Sequence, residues 1–561
     1  MSIFTELGLV IILAGILGYF TRLVKQPLIL AYIFAGIILG PSFFNLIKSE
    51  EVIYYFSSLG IAFLLFTIGL ELDLRKFKKI SFLIAIVGLG QIIFTGLFGF
   101  FLSYFFGFSV IVALYLGLAL AFSSTAVVVK LLSDSKDLDS LQGKFIIGTM
   151  LIQDLVAVLA MAFFHEINFL SSFQSLFGQL FLVLIKAGVF LFGAIFLGRV
   201  VVSRLLNFAT KTPELLFLAS LSWCLALIFA AQSFGLSLEI GAFLAGLGLA
   251  GTAYNLETVG KMRPLRDFFL IIFFTSLGMQ MAWPDLKENL VLVSFFSLFV
   301  IFGNPLIVWI FMGILGFTKR VSFLTGLATG QISEFSIILI ILGVKVGHLD
   351  SSLLSLITIL AVITILISSY FISHSHKIYL KIGKYLNIFE RKKLRFKELM
   401  TREGILENHT ILFGCDRMGS VILKNLQKRQ KKVLVIDFNL ETVEKLRKQH
   451  TLSFYGDIED PEIIEKANLD KAKMIISTVP DLHSNLFLLS QIKNKNSIIL
   501  ITCQNVDEAL ELYEKGIDYA ILPLRLSGEY VAMLLDKLGE NKTEIDFYRH
   551  AHIQELKKAM T

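Results

Sequence analysis

A carboxylate surrounded by hydrocarbon side chains has few chemical options. Asp154 stands in the middle of Ile146–Ala160, an apolar run inside a segment long enough to span a bilayer. On insertion scales an acidic side chain at that depth costs about 2.5–3.5 kcal/mol, unless a proton or a metal cation neutralises it. Burial favours the protonated form and a nearby cation favours the carboxylate, so the two exclude one another. If the site changes its open side only when that charge is neutralised, obligatory exchange follows. Gln153, beside it, carries no charge but can offer a carbonyl oxygen.

Two other apolar segments hold small polar residues at mid-depth. One reads Ala121-Phe122-Ser123-Ser124-Thr125-Ala126, the other Gly330-Gln331-Ile332-Ser333-Glu334-Phe335-Ser336. Backbone can unwind at membrane depth only where its freed polar groups line a cavity or meet protein. Two facing breaks would aim helix termini and free carbonyls at one spot, which suits a small ion. Ser124, Thr125, Ser333 and Glu334 are therefore candidate neighbours of Asp154. The plainer alternative is that these residues let helices pack closely and hydrogen-bond across the interface. Glu334 fits either a structural ion pair or direct participation.

Positioning these groups requires a polytopic helical membrane domain. The 561 residues are 55% hydrophobic and 17% charged, with 53 phenylalanines, which excludes a soluble globular chain. About thirteen spans are expected, centred near Ala14, Phe34, Phe63, Gln91, Gly117, Gln153, Phe190, Leu225, Phe243, Ile272, Phe302, Ser333 and Ile363. Cations cluster in alternate connections: Arg22/Lys25, Arg75/Lys76/Lys78/Lys79, Lys136/Lys144, Arg204/Lys211, Lys261/Arg263/Arg266 and Lys319/Arg320. That asymmetry puts the N-terminus outside and the C-terminus in the cytoplasm. Asp73 reads as an interfacial residue and Lys186 as a snorkelling one. The net charge of +7 sits largely in these loops and calls for no nucleic-acid partner. The start of the chain lacks a basic leader and reads as a first span, not a cleaved signal. Cys224, Cys415 and Cys503 are widely separated and read as buried thiols.

The sequence also carries an internal repeat. Ala35-Gly36 resembles Ala245-Gly246 at an offset of 210, while Gly69 matches Gly278, and Gly117-Leu118-Ala119 matches Gly326-Leu327-Ala328, both at 209. The offset equals seven crossings, an odd number, so the two copies are inserted inverted. Such repeats build a secondary transporter's site at the midplane.

The membrane portion is expected over residues 1–374. A basic juxtamembrane linker follows at 375–407, with Lys377, Lys381, Lys384, Arg391, Lys392, Lys393, Arg395 and Lys397 interleaved with apolar residues, as if lying on anionic lipid. Residues 408–540 switch to strand–helix alternation, with strands at Thr410–Gly414, Val433–Asp437, Ser453–Tyr455, Lys473–Thr478, Ile498–Thr502 and Tyr519–Leu522. This is a Rossmann-type α/β domain, followed by a tail at 541–561. Its first turn, Gly414-Cys415-Asp416-Arg417-Met418-Gly419, matches GxGxxG except at the middle glycine, and Asp437 ends the second strand where a ribose-binding carboxylate belongs. Asp416 repels a pyrophosphate, so a mononucleotide such as AMP fits better than NAD(H), and loss of nucleotide binding is the alternative. Arg417 is either a phosphate contact or a solvated surface residue.

Together these pieces resemble Kef-type potassium/proton antiporters of the monovalent cation:proton antiporter superfamily. The matching stretches are Leu30–Pro41, Leu65–Leu72, Ser123–Ala126, Gln153-Asp154, Gly241–Gly246 and Gly330–Phe335. The resemblance implies a homodimer in which a mobile core moves elevator-fashion against a dimerisation domain, in a cell (inner) membrane. It implies K+ where a Gln-Asp pair stands, with Na+ as the alternative. Many relatives carry a lysine in the eleventh helix that pairs with the transport carboxylate; this chain has Asn304 there, which implies one-for-one, electroneutral exchange. Ile436-Asp437, Tyr455-Gly456-Asp457 and Lys515–Pro523 resemble RCK or TrkA-N regulatory domains, which bind NAD(H) or adenine mononucleotides and are not dehydrogenases. A ligand-gated cation channel and a non-transporting nucleotide sensor are the competing functions. The chain has no filter-like Thr-Val-Gly-Tyr-Gly segment, and the inverted repeat argues against a channel.

Overall fold

The computed structural model describes residues 3–561 apart from 25, 42, 48–49, 72–80, 135–139, 167–184, 186–187, 191, 199–211, 235, 237, 251, 253–254, 281–289, 384, 387–406, 495, 539–548, 550–552 and 554–561. Lys25, Asp73, the cations at 75–79, Lys136, Lys186, Arg204, Lys211, Lys384, the linker cations at 391–397 and nearly all of the tail lie outside the described residues. The chain divides into two compact units, Met1–Leu394 and Arg395–Thr561.

The first unit is helical. Its elements are α1 (Ile3–Leu23), α2 (Leu28–Leu39), α3 (Glu50–Glu71), α4 (Ser81–Phe105), α5 (Val110–Ala121), α6 (Thr125–Asp134), α7 (Leu141–Glu166), α8 (Pro213–Ser233), α9 (Leu238–Leu249), α10 (Asn255–Met279), α11 (Leu290–Ile314), α12 (Lys319–Leu327), α13 (Glu334–Lys345), α14 (Ser352–Ser373) and α15 (Ser375–Ile382). Seven described spans are long and apolar enough to cross a membrane by length and composition, Leu141–His165 among them. Their outer faces carry exposed Ile12, Phe20, Phe98, Phe101 and Phe229, which suits a lipid solvent.

The repeat is visible in the element bounds. Ser81 opens α4 and Leu290 opens α11, while Phe105 and Ile314 close them, both at an offset of 209. Val110 and Lys319 open α5 and α12 at the same offset, as do Thr125 and Glu334 for α6 and α13. The contacts repeat too. A Cβ on Gly36 would strike the Thr275 carbonyl and meet Gly278, and one on Gly246 would strike the Phe66 carbonyl and meet Gly69. Exchanging the copies turns the α2–α10 contact into the α9–α3 contact. Glycine is needed at all four positions because backbone meets backbone.

Packing sorts the helices into two groups. In one, α3 packs on α9 and α10, α2 on α1 and α10, and α8 on α9. In the other, α4 packs on α5, α7 and α11, and α13 packs on α5, α7 and α14. α7 and α9 touch across the seam. Several cations expected in connections lie within helices instead: Arg22 in α1, Lys144 in α7, Lys261, Arg263 and Arg266 in α10, and Lys319 and Arg320 in α12. Arg320 lies in the first turn of α12, 4% exposed, with its guanidinium 5.7 Å from the Tyr379 ring centroid on α15. A planar cation stacks on an aromatic face with less desolvation loss than an ammonium, so it is buried where a loop lysine would not be.

The second unit is a six-stranded parallel sheet, order β3-β2-β1-β4-β5-β6. Its strands are β1 (His409–Phe413), β2 (Val433–Asp437), β3 (Ser453–Tyr455), β4 (Ala472–Ser477), β5 (Ile498–Thr502) and β6 (Tyr519–Ile521). This is the doubly wound order, with its switch point between β1 and β4. The central strands are buried on both faces, as runs such as Val433-Leu434-Val435-Ile436 require.

Candidate functional site

The breaks at 122–124 and 328–333 interrupt two spans and face each other. α5 ends at Ala121, Phe122 is extended, Ser123 and Ser124 lie in no regular element, and α6 begins at Thr125; α12 ends at Leu327 and α13 begins at Glu334. The Ser333 N–H donates to the Phe122 carbonyl over 3.0 Å, and the Ser123 hydroxyl donates to the Thr329 carbonyl over 3.0 Å. Two half-helix N-termini and two C-termini therefore meet at one crossing. Ser124 and Ser333, which are repeat equivalents, do the same work. Ser124 Oγ accepts from Val127 N (3.5 Å) and Ser333 Oγ accepts from Phe335 N (3.2 Å), capping α6 and α13.

Asp154 lies on α7 beside this crossing, 1% exposed, and its Oδ2 accepts from Thr125 Oγ1 over 2.9 Å. Glu334 is 4% exposed at the start of α13, where the helix dipole favours a carboxylate. The hydroxyls of Ser124 and Ser333 bear on it, and it interacts electrostatically with Asp154. Thus Asp154, Thr125, Ser124, Ser333 and Glu334 are brought together.

The three amides around them have distinct tasks. Gln153 Oε1 accepts from Ser123 N (3.0 Å), and its Nε2 donates to Gln91 Oε1 (2.7 Å). Both ends of Gln153 are thus engaged by protein, which clamps the first break. Gln91 was not foreseen. On α4, fully buried, its Nε2 donates to the Ala121 carbonyl (3.0 Å) and to Thr95 Oγ1 (3.2 Å). Its one signal was an uncharged polar residue mid-span. Asn304 Nδ2 donates to the Leu120 carbonyl (2.9 Å) and reaches the Thr329 carbonyl at 3.5 Å, so a neutral amide ties the C-terminal ends of both α5 and α12.

A separate cavity of about 310 Å3 opens along the seam between the two helix groups. Ser57, Ser58 and Glu239 line it from one group, His165 and Lys345 from the other.

In the second unit, Gly414 has φ +81° and a Cβ on Gly419 would strike the Gly414 carbonyl, so the first and third glycines of the turn are sterically required. Asp437 Oδ2 accepts from Cys415 N and Oδ1 from Asn439 N, each at 2.7 Å. The carboxylate expected at the ribose thus fastens the turn. Asp416 and Arg417 are exposed at the open end of the helix Arg417–Lys428, Met418 is half-buried behind them, and Asp457 Oδ1 accepts from Glu459 N (3.1 Å).

Paired broken helices around a buried carboxyl, built from a repeat, define a secondary transporter. Sequence comparison places it further. The sodium/hydrogen exchanger transmembrane family matches residues 8–374 and the TrkA-N domain matches residues 410–523. The chain belongs to the sodium/hydrogen exchanger family and carries a TrkA-N domain, a nucleotide-binding fold. It is a multi-pass membrane cation/proton antiporter. It is 26% identical over 546 residues to the putative cation/proton antiporter YbaL of Escherichia coli (strain K12), covering 94% of this chain and 96% of that one. Against the putative K(+) efflux antiporter KefB of Alkalimonas amylolytica it is 26% identical over 520 residues, 91% and 78% of the two chains. Against the glutathione-regulated potassium-efflux system protein KefC of Escherichia coli (strain K12) it is 26% identical over 541 residues, 94% and 84%. Among solved structures, the sodium proton antiporter MjNhaP1 of Methanocaldococcus jannaschii shares the fold, with TM-score 0.52, 16% identity, and coverage of 67% of this chain and 98% of that one.

Proposed function

We propose that this protein exchanges a monovalent cation for a proton at Asp154 by alternating access, with K+ the best-supported cation. The observation that carries the reading is a carboxyl 1% exposed, held by Thr125 at a crossing of four half-helix ends. The potassium efflux named for KefB and KefC favours K+, and Na+ is the competing substrate. Asn304 brings no ammonium to the crossing, which favours one proton exchanged for each cation at Asp154, an electroneutral exchange.

Two helix groups packed separately, with a cavity along their seam, support an elevator-like displacement of the group bearing Asp154. The N-terminus faces outward, the TrkA-N domain faces the cytoplasm, and two copies form a homodimer. The glycine turn and the open helix end fit an adenine nucleotide, which would contact Gly414, Arg417, Met418, Gly419 and Asp437. Asp416 opposes a diphosphate, so AMP suits the site better than NAD(H).

The test is proton flux measured by pH dequenching in proteoliposomes, driven by K+ and then by Na+. Asp154→Asn should abolish cation-dependent proton movement while the protein stays folded. Retained exchange would overturn the assignment, and cation flux without protons would indicate a channel.

A further inference from the structure

Buried amides ordinarily use both ends, as Gln91 does, and the other three at the crossing divide on this point. Gln153 has protein partners at each end. Gln331 and Asn304, each fully buried, donate from nitrogen only. Gln331 Nε2 reaches the Ser124 carbonyl at 3.2 Å, whereas Gln331 Oε1 and Asn304 Oδ1 have no hydrogen-bond partner among the described residues. Flipping either amide is no remedy. It would set its oxygen against the carbonyl oxygen of Ser124 or Leu120.

Leaving a buried acceptor unmet destabilises a fold, so two at one crossing require a reason. Neither amide titrates, and neither can recruit a proton. A carbonyl oxygen can, however, replace part of the hydration shell of a univalent cation. The position suits that role. The Gln331 amide rests on the peptide carbonyl that leads into Thr125, whose hydroxyl holds Asp154.

We infer that Gln331 is a specificity-determining residue of the exchanger, its Oε1 supplying a neutral oxygen to the dehydrated cation at Asp154, with Asn304 Oδ1 as a second. The inference rests on the Asp154 reading. It divides labour between two amides: Gln153 shapes the break, and Gln331 meets the ion.

The test uses the full chain in proteoliposomes at fixed pH, comparing K+, Na+ and Rb+. Gln331→Met keeps the side-chain length and removes the oxygen. Its KM for the preferred cation should rise about tenfold, a loss of about 1.4 kcal/mol, with a changed K+/Na+ ratio and a smaller change in Vmax. A purely structural amide would lower Vmax or folded yield and leave the ratio alone. The K+-dependent rise in melting temperature of the purified protein should shrink in parallel, a readout independent of turnover. Should the methionine variant not fold, Gln331→Asn withdraws both amide ends by one methylene and must also shift the ratio. Unchanged KM and ratio in a folded variant, with Asp154→Asn inactive, would overturn this inference alone. Exchange surviving in Asp154→Asn would overturn it together with the reading beneath it.

Discussion

The backbone N–H of Ser123 donates to Gln153 Oε1 over 3.0 Å, joining the break in one span to the residue beside the buried carboxyl on another. Gln91 completes the chain by accepting from Gln153 Nε2 at 2.7 Å and donating to the Ala121 carbonyl at 3.0 Å. Gln153→Ala would leave the Ser123 donor and the Gln91 acceptor unmet, each at about 1–3 kcal/mol. The expected outcome is a lower melting temperature and a fall in Vmax larger than any rise in KM. Thermal melting with a K+ titration of exchange checks both. A large KM effect with unchanged melting would instead make Gln153 a direct ligand.

The glycine contacts make a symmetric prediction. Gly246→Ala sets a methyl against the Phe66 carbonyl, and Gly36→Ala sets one against the Thr275 carbonyl. Backbone cannot swing aside as a side-chain tip can, so each change should cost about 1–3 kcal/mol. Because the two contacts are repeat equivalents, their losses should be alike. Melting of the two purified variants, side by side, tests this.

The broken spans were legible because Ser124-Thr125 and Ser333-Glu334 place polar groups where lipid tolerates none unless they meet protein. The repeat register was legible from three glycine-containing matches, and the helix bounds follow it. The strands of the α/β domain fell within a residue of their expected ends because buried parallel strands read as continuous apolar runs, as in Thr410–Phe413. The roles of Gln153, Gln91 and Gln331 were not legible. Which end of an amide is free depends on partners far away in sequence, such as Ser123 for Gln153 and Ser124 for Gln331, and no local spacing encodes that. Arg320 escaped for the same reason, since Tyr379 lies beyond the last span.

Asp416 supplies a gain-of-function prediction. It is exposed at the N-terminal end of Arg417–Lys428, where a phosphate would approach backbone, and it adds negative charge at that point. Asp416→Gly restores the three-glycine turn. It should strengthen NAD(H) binding more than AMP binding, because only the dinucleotide carries a pyrophosphate. Thermal shifts of the full chain with AMP, NAD and NADH decide it, and equal gains for all three would argue against pyrophosphate repulsion.

Cys415, in the same turn, gives a pH prediction whose sign follows from its surroundings. Burial, and then the nearby Asp437 and Asp416 carboxylates, push its thiol up from 9.0 to about 11. The neutral thiol is therefore favoured in the fold, and unfolding releases a proton at any pH between those values. The contribution to stability is complete below pH 9.0 and is lost as pH rises towards about 11. At pH 8 the native thiol should react with iodoacetamide far more slowly than the same cysteine in denaturant, since the thiolate is the nucleophile. Peptide mass spectrometry of Cys415 across pH 7 to 10 reads the effect directly. Replacing Asp437 with Asn removes one of the two neighbouring charges, so the alkylation profile should move to lower pH. A profile unmoved by that change would exclude the Asp437 charge as a cause and leave burial and Asp416.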